Sequence, residues 1–206
     1  MAFTGWPERA FEVLLQLEGE PTADQRERLR RQREQLVRVP MIELLNDVAD
    51  ADERYQDFSV WGYGKTAWWW QHQIGVVRQR GRHEMGLRFD LDGLHIAGNW
   101  ANRELVAYRA AVGDTESGSA LVDILKDLEG KRYEVTGDVM SRVPRGFSAD
   151  HPRIELSRRR SLSVTRPLWD EDCLHSAAAV PEVLEAFAEL GPLMAWLGEH
   201  VPGRAA

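Results

Sequence analysis

The chain has 206 residues, 43% hydrophobic and 29% charged, which suits one globular domain with a substantial core. Its formal net charge of −7 argues against nucleic-acid binding by general electrostatics, and no run approaches the ~18 apolar residues of a membrane span. A single cysteine, Cys173, excludes an internal disulfide and a cysteine-rich zinc site, and the start of the chain has no basic, apolar leader, so a cytoplasmic protein is expected.

Pro7 suits a first helical turn, and Phe11, Leu14 and Leu15 follow at helical spacing. Thr22-Ala-Asp-Gln25 is a capping-box pattern that opens a second helix through Arg38. That helix carries six arginines, interrupted by Glu27 and Glu34, and reads as a solvated face. Pro40 is expected to break or restart the chain before a third helix on Met41, Leu44, Leu45 and Val48.

From Tyr55 the period changes to two. The pattern predicts a strand to about Trp61, a bend at Gly62-Tyr-Gly64 and a second strand through Trp68–Val77. Met85, Leu87 and Phe89 alternate with charged residues across Glu84–Asp90, and Asp92-Gly93 signals a hairpin into Leu94 and Ile96. Asn99 and Asn102 are suitable caps for a helix bearing Leu105, Tyr108 and Arg109. Gly113–Ser119 reads as a polar loop, and Leu121–Leu128 as a buried helix stopped by Gly130.

Short strands are expected near 132–136 and 161–166. Between them Asp150 is placed to cap a short helix at Pro152. The end of the chain is helical from Asp170, with Pro181–Leu190 and Pro192–Gly198 joined or kinked at Gly191-Pro192. Helices, then strands, then mixed elements indicate a single α+β domain. Its mainly antiparallel sheet covers about residues 55–100 plus the two later strands, flanked by terminal helices.

Several strings resemble a known family. These are Gly98-Asn-Trp100 with Leu105 and Arg109, Pro144-Arg145-Gly146-Phe147 followed by Asp150-His151-Pro152, the Arg160/Leu162/Val164 segment, and Pro192-Leu-Met-Ala-Trp196-Leu197. Together they are similar to the bacterial DUF2461 family, and the resemblance implies an α+β fold with no activity attached. The family's charged segment after the third helix is replaced here. Phe58-Ser59 remain, but Trp61-Gly-Tyr-Gly-Lys65-Thr-Ala-Trp-Trp-Trp70 stands where the charges would fall.

Two places carry candidate chemistry. On a strand, Trp68, Trp70, His72 and Ile74 face one way, as core, while Trp69, Gln71 and Gln73 face the other. An indole beside two amides suits a planar polar ligand, with Tyr63 and Lys65 at the rim. Arg145 offers a fork for a carboxylate or phosphate and His151 an acid or base near neutral pH. The reading preferred for that loop is structural, with Arg145 pairing with Asp150 and Asp150 capping the following helix.

The histidines, Glu84 and Cys173 share no ligand spacing, so no metal is expected. Without a Gly-x-Gly-x-x-Gly or P-loop, no cofactor is expected either. The functional expectation is a small polar or planar ligand in a pocket joining the Trp-rich stretch to the Arg145–His151 loop. A protein partner docking on the exposed aromatic stretch is the alternative.

Overall fold

The capping box forms as its residue types require, with the Thr22 hydroxyl accepting the Gln25 N–H and the Gln25 side chain accepting the Thr22 N–H. In this computed structural model, which describes residues 2–79, 83–101, 104–168 and 171–201, it starts helix α2 (Ala23–Arg33), after α1 (Arg9–Leu15). The helix does not break at Pro40. A π turn at Glu34–Arg38 leads directly into α3 (Val39–Ala51), where Pro40 sits in the first turn. Proline lacks an N–H and crowds the carbonyl four residues back, and the widened turn there supplies the room.

The strand expected through the tryptophans is replaced by a 3-10 turn at Ala67–Trp70, lying between β1 (Phe58–Val60) and β2 (Gln73–Arg78). Strands β3 (Glu84–Asp90) and β4 (Gly93–Ala101) follow the predicted hairpin. Asn99 lies inside β4 and accepts the Ser163 hydroxyl at 2.8 Å, so it caps nothing. Asn102 falls outside the described residues.

Helix α4 (Leu105–Gly113) is followed at once by α5 (Thr115–Gly130). The expected loop at Gly113–Ser119 is helical because the Asp114 carboxylate accepts the N–H groups of Glu116 and Ser117, each at 3.0 Å. Then come β5 (Glu134–Thr136), α6 (Ile154–Ser157), β6 (Ser161–Leu168) and α7 (Glu171–Leu174). Asp170, where the last helical stretch was expected to begin, also falls outside the described residues. Helix α8 (Ala179–His200) runs through Pro192 without ending.

The protein is thus α+β, with six strands in one antiparallel sheet of order β1-β2-β3-β4-β6-β5. Phe58 pairs with Val77 at one edge and Val135 with Val164 at the other. The chain forms two compact units. The first takes Met1–Val77, Gly86–Ile96 and Pro167–Phe187, and the second Arg78–Met85, Ala97–Arg166 and Ala188–Ala206. In the first, the Trp6 indole stacks on Phe89 at 4.2 Å and donates to the Val37 carbonyl, with Leu14, Leu44 and Leu45 buried. In the second, Leu121, Leu128, Leu162, Leu193 and Leu197 are buried, and Trp100 stacks on Tyr108 at 4.1 Å. Among the described residues no helix is long and apolar enough to cross a membrane.

Candidate functional site

In the first unit the aromatic segment is organised by Arg33, which is 1% exposed. Its fork donates from Nε to the Trp70 carbonyl (2.9 Å), from Nη1 to Gln73 Oε1 (3.1 Å), and from Nη2 to the carbonyls of Trp69 (3.3 Å) and His72. A tight turn presents several carbonyls together, and a guanidinium is the side chain with enough donors in fixed geometry to satisfy them. The Arg33 guanidinium also lies 4.7 Å from the Tyr63 ring, which stacks on Trp70 at 4.7 Å.

The 3-10 turn undoes the expected two-face alternation. Trp70 is buried and donates its indole N–H to Gly64. Trp69 is half-buried with its indole packed on Gly64, where a Cβ would overlap the ring. Trp68 is 51% exposed, set edge-on at 3.9 Å over His72.

Each predicted polar group is engaged differently. Gln73 is 2% exposed, and its Nε2 donates to the carbonyls of Trp61 (2.8 Å) and Ile74 (3.2 Å) while its oxygen serves Arg33. The Gln71 amide donates to the Gly19 carbonyl. Lys65 is exposed. Tyr63 donates to Glu34 and borders a concavity of about 390 Å³ with Arg30, Arg31 and Glu34.

Burial, with the Glu34 hydrogen bond, pushes the Tyr63 phenol up to about 12. Burial acts to raise Glu34, but hydrogen bonds from Tyr63 and Arg38 outweigh it and hold the carboxyl below its ordinary value. His72 is pushed down to about 4 by burial and by the Arg88 and Arg33 cations. Its Nε2 is buried without a hydrogen-bond partner.

In the second unit, Arg145 and His151 line one concavity of about 470 Å³ with Val106, Arg109, Ala110, Gly113, Gly146 and Phe147. The loop is shaped by a β-turn in which the Pro144 carbonyl accepts the Phe147 N–H at 3.1 Å. Gly146 adopts φ +91°, which that position of the turn reserves for glycine. Arg145 is left exposed.

Asp150 does not cap α6, contrary to expectation. It accepts the Ser148 hydroxyl, and His151 Nδ1 takes the Arg153 N–H at 3.1 Å instead. With Nδ1 an acceptor, Nε2 carries the proton of the neutral ring, so it donates whether the ring is neutral or charged. The loop is anchored by Arg153, whose Nε donates to the Val112 carbonyl at 2.7 Å and whose Nη2 donates to those of Gly113 and Asp114. That places a cation at the C-terminus of α4, where the helix dipole favours it. Arg109 Nε and Nη2 bind the Ser157 carbonyl and Met140 sulfur.

The two sets of predicted residues therefore fall in different units: Tyr63, Lys65, Trp69, Gln71 and Gln73 in the first, Arg145 and His151 in the second. Arg33 was missed, although a signal existed: Leu29, Arg33 and Val37 share four-residue spacing, which sets Arg33 on the buried stripe. Arg153 and Arg109 were missed as site-builders because their partners are distant in sequence. For a metal, Asp90, Asp92 and His95 bring one ligand atom each within 4.8 Å. Asp90 there already accepts the Asp92 N–H (3.0 Å) and pairs with Arg88 (2.9 Å) and His95 (3.5 Å), as a hairpin lock does.

A family model described as a conserved hypothetical protein (DUF2461) matches residues 66–196, more than half of the chain. That span includes Trp68–Trp70 and the whole Arg145–His151 loop but not Arg33, Trp61, Tyr63 or Lys65. Comparison with curated proteins and with solved structures gives no match. The chain belongs to the DUF2461 family.

Proposed function

We propose that this is a ligand-binding α+β protein whose cleft between α4 and the Pro144–Pro152 loop takes a small anionic group. The observation that carries the reading is the convergence of Arg145, Arg109 and His151 on one concavity. The side chains of these three bring donors rather than free acceptors, since His151 Nδ1 is used by Arg153 and an arginine has no acceptor, with Arg109 offering only what its bonds to Ser157 and Met140 leave. A carboxylate or phosphate is the complementary partner, and Arg145 has the fork to hold it in two places. In this reading Tyr63, Gln71 and Gln73 shape the aromatic segment rather than meet the ligand.

Calorimetric titration with acetate and inorganic phosphate tests it. Arg145→Ala should weaken binding by about ten- to a hundred-fold, the worth of a charge-assisted hydrogen-bonded contact. Absence of binding by either anion, or unchanged affinity in Arg145→Ala, would overturn the reading.

The exposure of Trp61 (37%) and Trp68 supports a second reading, a protein partner docking on the aromatic surface. Native mass spectrometry of protein purified from its source separates the two. A stoichiometric partner that is lost in Trp68→Ser supports docking, whereas a retained small acid supports the cleft.

A further inference from the structure

The cleft has an apolar side as well as a cationic one, and the two differ in what they ask of a ligand. Val106, Ala110 and Gly113 stand at i, i+4 and i+7 on α4 and form one face of it, about 10 Å long at the helical rise. Val106 is 85% exposed and Ala110 is exposed too, so among the described residues none covers that part of the face. Phe147 forms the opposite wall. Its ring stands close enough to Gly113 that a Cβ there would meet it at 3.3 Å, and it meets His151 edge-to-face at 5.0 Å. Arg145, in the turn that leads to Phe147, and His151, against its ring, stand by the Phe147 wall, while Val106 extends the trough one helical turn beyond Ala110.

We infer that the occupant is an amphipathic organic acid, an anionic head at Arg145 and His151 with an apolar tail lying along Val106, Ala110 and Gly113. This rests on the anion-binding reading above. Inorganic phosphate would satisfy the head and leave the trough wet. A neutral hydrocarbon would fill the trough and leave the Arg145 guanidinium without a counter-charge. A carboxylate with an alkyl or aryl tail matches both ends. Because the trough is open on one side, each methylene buries about half its surface, which corresponds to roughly two-fold tighter binding per added carbon.

The test is a titration series of acetate, butyrate, hexanoate and octanoate, with hexanol as the neutral control. It is run on the full chain and on Val106→Ser and Arg145→Ala, both surface changes with little expected effect on folding. The proposal expects affinity to rise more than ten-fold from butyrate to octanoate. Val106→Ser should flatten that rise, and Arg145→Ala should weaken every acid by a similar factor. Acids that bind equally at every length overturn the tail and leave the anion reading standing. A length dependence that survives Val106→Ser, or is matched by hexanol, overturns the proposal as well. No binding of any acid overturns the proposal, and if inorganic phosphate is silent too, the anion reading goes with it.

Discussion

Deleting the Arg33 fork is the sharpest test of how the aromatic segment is held. Arg33→Met keeps the aliphatic stem and removes four hydrogen bonds, to the carbonyls of Trp69, Trp70 and His72 and to Gln73 Oε1. Bonds from a charged donor contribute about 1.5–3 kcal/mol each, a gross loss of roughly 6–12 kcal/mol. Against this stands the cost of burying the guanidinium, several kcal/mol, which the variant no longer bears. The net expectation is a loss of about 3–5 kcal/mol, typical of breaking a buried charged network. Arg33→Lys keeps the charge but offers one nitrogen where three are used, so it should recover only part of that loss. Urea melts give the stability, and the near-ultraviolet dichroism of the indoles reports whether the 3-10 turn persists. A loss below about 0.5 kcal/mol, the range for surface changes, with the indole signal intact would mean that Arg33 does not hold the turn.

Acid titration bears on His72, whose folded value is depressed from 6.5 to about 4. The unfolded chain takes up its proton first, so the stability tied to the neutral ring is complete above about pH 6.5 and is lost as pH falls toward 4. Between pH 7 and 4.5 the protein should lose about 2–3 kcal/mol more than His72→Gln, and equal losses would contradict the depressed value. Asp150→Ala should cost less than about 0.5 kcal/mol, since its partner is an exposed hydroxyl, while His151→Ala should cost about 1 kcal/mol through the lost acceptor. The reverse order would restore the sequence expectation. We also propose that the chain unfolds as one domain, because β3 and β4 each contribute residues to both units. Non-coincident urea transitions by indole fluorescence and far-ultraviolet dichroism would contradict that.

What the sequence made legible was local. Met85, Leu87 and Phe89 are buried on alternate positions of β3, and Thr22 with Gln25 needs only its own backbone to form the capping box. The tryptophan run was not legible, because its conformation is decided by a residue 37 positions earlier. High strand propensity at Trp68–Trp70 yields to the carbonyl geometry that the buried Arg33 requires. Asp150 followed the same logic in reverse. Its residue type fits a cap, but His151 lies in the geometry to accept the N–H, and tertiary placement of Arg153 fixed the choice. For the candidate site, the string around Arg145 and His151 pointed to the right loop. The facing wall of α4 was hidden because helical periodicity marks Val106 and Ala110 only as the face away from the core.

In the proposed function the ligand-facing groups lie in the α4 cleft rather than on the aromatic segment. Nitrogen–proton correlation spectra recorded during a hexanoate titration test it directly. Concerted shifts are expected at the amides of Gly113, Gly146, Phe147 and His151 and at the Arg145 side chain, all with one saturation curve. Shifts confined instead to Trp61–Gln73 and their indoles, with the Arg145 loop unmoved, would contradict it.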